Sequence, residues 1–156
     1  LTHTTPSGSA HMVDVTTKPS TNRTATAQGR VLLSSPHAFS LLKEDRIKKG
    51  NVLTVAQIAG TNAAKQTGLL IPLCHPLMLS HIDVKLTLCE DDLAVDIEAS
   101  VRCLGPTGVE MEALMAVSIA ACTVFDMCKA VDRGMRIMDV RVTEKKGGRS
   151  GDWVAE

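Results

Sequence analysis

The sequence predicts an α+β fold, a split βαβ sandwich of ferredoxin-like type in which an antiparallel sheet carries its helices on one face. Residues 82–88 and 93–97 alternate apolar and polar with a period of two across a turn at Glu90, Asp91 and Asp92. That is the pattern of a hairpin with one wet face. Segment 108–129 carries charged residues only at its ends and none over 113–125, so it is apolar on every side between them, as a buried helix must be. Strand, helices, strand, strand, helix, strand is the order that results, and it is the split βαβ motif.

Each element has its own signal. Residues 1–27 are rich in Thr, Ser, Pro and Gly, broken by HMVDV, and predict a mobile arm carrying Lys18 and Arg23. Residues 28–34 read as the first strand; Ser35 then caps a helix with Pro36 in its first turn, running to Leu42. A polar connector with Lys43, Arg46, Lys48 and Lys49 follows. Val55, Ile58, Ala59, Asn62, Lys65 and Gln66 recur at helical spacing and predict a helix over 52–69, with Gly68 as its stop. Pro72 and Pro76 exclude the apolar stretch 70–78 from helix and central strand, leaving a loop that lines something. After the hairpin, the glycine loop 105–108 leads into the long helix, Gly134 ends it, and Met138, Val140 and Val142 alternate through a last strand. This organises the chain as arm 1–27, one domain 28–146, and a glycine-rich basic tail 147–156.

Composition narrows the function. At 156 residues the chain has the size of one domain with a real core, and 44% hydrophobic content argues against wholesale disorder. Lys plus Arg equal Asp plus Glu at 17 each, so no global field draws DNA or an acidic membrane. Two Phe, one Trp and no Tyr weigh against nucleic-acid binding by base stacking. Five cysteines stand singly in apolar runs, an odd number without a CxxC pair, which predicts thiols in a reducing compartment. With no uninterrupted spanning segment and no hydrophobic signal core at the start, the expectation is a soluble intracellular protein with neither membrane nor nucleic-acid partner.

The candidate chemistry sits mostly at the two ends of the long helix. Glu110 and Glu112 open it; Asp126 and Lys129 close it. Glu112 and Asp126 are 14 residues apart by number, roughly 21 Å at 1.5 Å per residue, too far for one small reactive centre. Asp126 and Lys129 share a helix face at i, i+3 amid apolar neighbours, which predicts a largely buried ion pair. Arg46, Lys48 and Lys49 crowd three cations into four residues, one way of lowering a lysine's pKa, although a solvated basic turn is the simpler reading. Cys74 and His75 are adjacent and point apart, and no further ligand cluster joins them, so no metal site is predicted. His75 fits a donor or proton shuttle in a pocket walled by Leu73, Leu77 and Met78. Glu110 and Glu112 suit a helix N-terminus, and equally the donor-rich edge of a guanine or pterin ring. KKGGRSG has the composition of a phosphate-cradling loop without a Walker pattern.

HMVDV, KKGNVLTVAQIAGTNAAKQT, LIPLCHPLMLSHIDV, TGVEMEALMAVSIAACTVFDMCKAV and KKGGRSGDW, in this order over essentially the whole chain, resemble the molybdenum cofactor biosynthesis protein C family, the cyclic pyranopterin monophosphate synthases. The resemblance implies a ferredoxin-like lyase that converts 3′,8-cyclo-7,8-dihydroguanosine 5′-triphosphate into cyclic pyranopterin monophosphate and diphosphate. It implies a hexamer, a trimer of dimers, with active sites at the dimer interface. An upstream radical enzyme, in some cases fused, supplies the substrate. By motif, Asp126 is catalytic with Lys49 and Lys129; Leu73, Cys74, His75, Met111 and Glu112 bind substrate. Glu110 stands beside them. Lys18, Arg23 and Lys146 of the arm and tail would meet the triphosphate. No cofactor is implied beyond Mg²⁺ arriving with the triphosphate, and the expected compartment is cytoplasm or mitochondrial matrix. A non-catalytic nucleotide-binding module of the same fold is the competing expectation, and a purely structural subunit is a third.

Overall fold

The computed structural model describes residues 8–156. Its elements are β1 (Thr21–Leu32), α1 (Pro36–Lys43), α2 (Val52–Leu70), β2 (Leu79–Cys89), β3 (Ala94–Gly105), α3 (Glu110–Cys128), β4 (Arg136–Lys146) and β5 (Trp153–Val154). The strands form one antiparallel sheet in the order β2-β3-β1-β4-β5. α2 and α3 pack side by side on one face of it, as the split βαβ order requires.

The hairpin follows its period-two pattern. Val84, Val95, Ile97, Ala99 and Val101 are buried, and Ile82, Leu86 and Leu88 pack against the same core. Leu93 closes the turn at φ 52, a left-handed conformation that leucine disfavours. Its side chain packs on the core and its carbonyl accepts from Leu33, so tertiary contacts hold the strained turn.

The strands of the hairpin are longer than the expected 82–88 and 93–97, running over Leu79–Cys89 and Ala94–Gly105, and three further boundaries differ in ways that bear on the site. β1 begins at Thr21, so residues 21–27 of the expected arm are strand. Ala25 and Ala27 are the reason: they alternate with Thr24 and Thr26 and are buried under α3, a core-facing row too small to read as hydrophobic. The first seven residues of that arm lie outside the described residues. The tail contributes β5, with Trp153 and Val154 paired to Lys145 and Glu144. α2 passes Gly68 and ends at Leu70; Gly68 serves instead as the point where Pro76 and the His75 carbonyl come close to the helix.

α2 does not bury the stripe that marked it as a helix. Val55 and Ile58 are exposed, and the buried face is Ala56, Gly60, Ala63, Ala64 and Thr67. Small residues allow close approach to α3: a Cβ on Gly60 would lie 2.8 Å from the Ala116 carbonyl oxygen. On α3, Ala116 and Ala120 meet Gly60, and Ala113, Ala116, Val117, Ala120, Ala121 and Val124 along its buried side are all fully buried. Among the described residues α3 is the one helix long and apolar enough to cross a membrane, and it lies on the sheet beside α2. It is buried on one face only; Cys122 on the opposite face is exposed.

Candidate functional site

Twelve residues close in space build the first half of the site around the start of α3. Loop 106–109 enters the helix through Gly108, where any Cβ would collide with the Glu110 carboxylate, so the glycine lets Glu110 fold back over the turn. Glu112, one turn in, is only 4% exposed. Burial pushes its carboxyl above 4.5, and the neighbouring Glu110 adds to the rise. Leu73, Cys74, His75 and Leu77 come in from the proline-bounded loop and Val13, Val15 and Lys18 from the arm. With Glu110, Met111 and Glu112 they line a cavity of about 320 Å³. His75 Nε2 lies 2.8 Å from the Val13 carbonyl oxygen. The Cys74 and Cys103 thiols are pushed up by burial first and by Glu112 second, which keeps both as neutral thiols.

A second cavity of about 250 Å³ adjoins the first and shares Lys18, Thr107, Gly108 and Glu110 with it. Its other walls bring Arg23, Lys145, Lys146 and Arg149 together, so it is strongly cationic. Arg23 is aimed by two hydrogen bonds to the Gly105 and Pro106 carbonyls. Gly147 and Gly148 turn the chain at φ 86 and 88, and the Arg23 guanidinium occupies the space a Cβ at Gly148 would need. Lys145 donates to Ser150 Oγ at 2.6 Å and lies 3.9 Å from Glu110. Lys145, Arg149 and Thr107 were not singled out by their sequence. The glycine-rich loop was the available signal, but that both adjacent lysines border the cleft depends on the tertiary fold, which pairs the end of β4 with the start of β1.

The third group stands at the other end of α3. Asp126 takes Lys129 Nζ on Oδ1 at 2.6 Å and Lys49 Nζ on Oδ2 at 2.7 Å. Lys49 also donates to the Asp126 main-chain carbonyl. Hydrogen bonds from Lys129 and then Lys49 lower the Asp126 carboxyl to about 2, so it is an anion throughout the neutral range. The connector places Lys49 through a tight turn: Ile47 is buried, Gly50 donates back to the Ile47 carbonyl, and Gly50 adopts φ 104. Arg46 is turned away onto Glu44 at 3.1 Å and Lys48 is exposed, in keeping with the solvated basic turn, the simpler reading, and Lys49 meets a carboxylate. The burial expected for Asp126 and Lys129 is not found, since their side chains are 55% and 54% exposed in the single chain.

Asp132 fastens the loop behind this cluster. Burial would raise its carboxyl, but hydrogen bonds from the Ser34 hydroxyl and the main-chain N–H groups of Ser34, Gly134 and Ser35 outweigh that and hold it below 3.8.

The predicted residues thus form two assemblies. Lys18, Arg23, Leu73, Cys74, His75, Glu110, Met111, Glu112 and Lys146 line one continuous cleft, whereas Lys49, Asp126 and Lys129 meet at the far end of the helix and line neither cavity. A larger concavity, about 690 Å³, lies on the open sheet face. Arg30 there is paired with Asp92 and Asp96, Gln28 donates to Glu98, and none of the predicted site residues borders it. Among the described residues no three His, Cys, Asp or Glu side chains gather as metal ligands.

Residues 12–148 match the family model described as MoaC family. The chain is similar to a cyclic pyranopterin monophosphate synthase of Parvibaculum lavamentivorans, 53% identical over 156 residues, with all of this chain and 97% of the relative covered. Proteins of the same name from Chloroflexus aurantiacus and Thermomicrobium roseum are 55% and 54% identical, covering 98% and 100% of this chain and 93% of each relative.

Proposed function

The chain belongs to the MoaC family, and from that membership we infer that it forms cyclic pyranopterin monophosphate and diphosphate from 3′,8-cyclo-7,8-dihydroguanosine 5′-triphosphate. The observation that supports the reading within this chain is the pairing of compartments at the start of α3. A cavity with a buried carboxylate suits a purine-derived ring that offers an amino group and a ring N–H, and the cationic cavity sharing its wall suits a triphosphate.

We assign the ring to Glu112, Met111, Leu73 and Cys74, with Glu110 at the boundary, and the phosphates to Lys18, Arg23, Lys145, Lys146 and Arg149. Formation of the cyclic phosphate requires a sugar hydroxyl to attack the α-phosphorus. The bond to the bridging oxygen breaks, diphosphate leaves, and the hydroxyl proton passes to a base; cations placed on the leaving phosphates stabilise the charge they take away. Mg²⁺, in this reading, would enter on the triphosphate's own oxygens.

Asp126, Lys129 and Lys49 are assigned the proton transfers of ring opening and closure, with Lys49 steadying negative charge as it develops. In one chain they are roughly 21 Å along α3 from Glu112. The assignment therefore requires a second chain whose α3 brings its C-terminal end to this cleft. Exposed apolar residues on the helical layer, Val55, Ile58, Leu69 and Leu70, and the loop residue Met78 favour such an assembly. A dimer, and a hexamer built of three dimers, is the form we propose.

The decisive experiment is incubation of the protein with the cyclic dihydroguanosine triphosphate, with detection of pyranopterin and diphosphate. One diphosphate per ligand consumed is expected. Ligand bound and recovered unchanged would reduce the protein to a nucleotide-binding module.

A further inference from the structure

The strongest unassigned contact is that between the arm and the proline-bounded loop. His75 Nε2 lies 2.8 Å from the carbonyl oxygen of Val13, 62 residues away in the chain. A carbonyl only accepts, so Nε2 must carry the hydrogen of this bond. A ring that donates this N–H to the arm cannot donate the same N–H to a substrate.

The arm is built to use that anchor. Val13 and Val15 are half-buried and line the ring cavity, while Met12, Asp14 and Thr16 between and beside them are exposed. The alternation lays an extended segment across the cleft. Immediately afterwards the chain turns: Asp14 Oδ1 accepts from the Thr16 N–H and hydroxyl, and the Lys18 N–H donates to the Val15 carbonyl. That turn returns Lys18 to the wall common to the ring and cationic cavities. The position of Lys18 is therefore set by where Val13 is held.

We propose that His75 is a positioning residue: it latches the arm through the Val13 carbonyl and so delivers Lys18 to the anionic part of the substrate. The kinetic consequence rests on the synthase reading, whereas the latch itself does not. Losing a hydrogen bond of ordinary strength would raise KM about three- to tenfold and leave kcat within about twofold.

The test uses thermolysin, which cuts before valine, alongside steady-state kinetics on the full chain. In His75→Ala, cleavage before Val13 should become at least about threefold faster than in the wild type, and KM should rise as stated. Val15→Asp undocks the arm without altering His75 and should give the same two changes. The double variant should be no worse than either single one, because both act through one element. His75→Gln, whose amide can place an N–H where Nε2–H stood, should restore the protection and most of the KM. If His75→Ala lowers kcat while the arm stays protected, or if the two substitutions multiply, His75 acts on the substrate directly and the latch is overturned. If the wild type releases no diphosphate, the functional reading fails, and the proteolysis of the four variants still decides the latch.

Discussion

Lys49 Nζ stands 2.7 Å from Asp126 Oδ2 although 77 residues separate the two, and Lys129 holds the other carboxylate oxygen from within the same helix turn. One carboxylate thus lies between two ammonium groups, all three half-exposed. Both ammonium groups disfavour protonation of Asp126, and an arriving anionic substrate supplies them with a competing partner. Asp126→Asn, Lys49→Ala and Lys129→Ala should each lower diphosphate release by about a hundredfold or more. Exposed ion pairs contribute little to stability, so each variant should keep its Tm within about 3 °C of the wild type. Both lysine variants turning over normally would end the catalytic assignment.

The same pair sets a pH window. The Asp126 carboxyl is lowered from 3.8 to about 2 by the hydrogen bonds from Lys129 and Lys49. A depressed carboxyl contributes stability above its unfolded value, and the contribution is lost as pH falls through the folded one. The Tm difference between wild type and Asp126→Asn should therefore be constant well above pH 3.8, shrink as pH falls past 3.8, and vanish only below about pH 2. A difference that already shrinks between pH 6 and 5 would place the carboxyl in a different environment.

Glu112 has the opposite sign. Burial raises its carboxyl above 4.5, so the folded state binds that proton more tightly than the unfolded one. The associated stability is complete below 4.5 and lost as pH rises through the folded value. Glu112→Gln should therefore melt higher than the wild type at pH 7.5, with the gap closing toward pH 4, while KM rises because the acceptor charge is gone. Calorimetry across that range checks the first part, and an unchanged or lower Tm at pH 7.5 would contradict it.

How much of this could be read in the chain depended on residue size and on main-chain partners. Ile82, Val84, Val95 and Ile97 announce the hairpin because large side chains alternate onto one buried face. Ala25 and Ala27 are as deeply buried, yet TNRTATA reads as polar, and the first half of β1 was hidden. α2 was legible as a helix but not by its buried face, whose Ala and Gly residues make no hydrophobic stripe. The charged residues at both ends of α3 were visible by type. Their grouping was not, since Lys49 reaches Asp126 through the tertiary fold, and the Val13 carbonyl that holds His75 is an atom every residue possesses.

The small-residue seam between α2 and α3 yields a stability prediction that runs against helix propensity. In an isolated helix, Gly→Ala gains about 1 kcal/mol. At Gly60 the new Cβ would sit 2.8 Å from the Ala116 carbonyl oxygen and 3.3 Å from Ala120 Cβ and Val84 Cγ1. One neighbour is main chain and another a bare methyl, so relief requires the helices to part. Gly60→Ala should destabilise the fold by about 1–3 kcal/mol, seen as a lower urea midpoint at unchanged slope. A stabilised variant would show that the seam relaxes freely.

Complementation tests whether the two ends of α3 serve one site. Glu112→Ala and Asp126→Ala should each be inactive alone. If a site takes Glu112 from one chain and Asp126 from its partner, a mixed pair has one site with both defects and one with neither. Random reassembly makes about half of all pairs mixed, each with one intact site of two, so co-refolded variants should regain about a quarter of wild-type activity. Were each chain to complete its own site, every site in the mixture would keep one defect and no activity would return. The roughly 21 Å between Glu112 and Asp126 along one helix, with the ring cavity at one end and both lysines at the other, is what makes the first outcome the expected one.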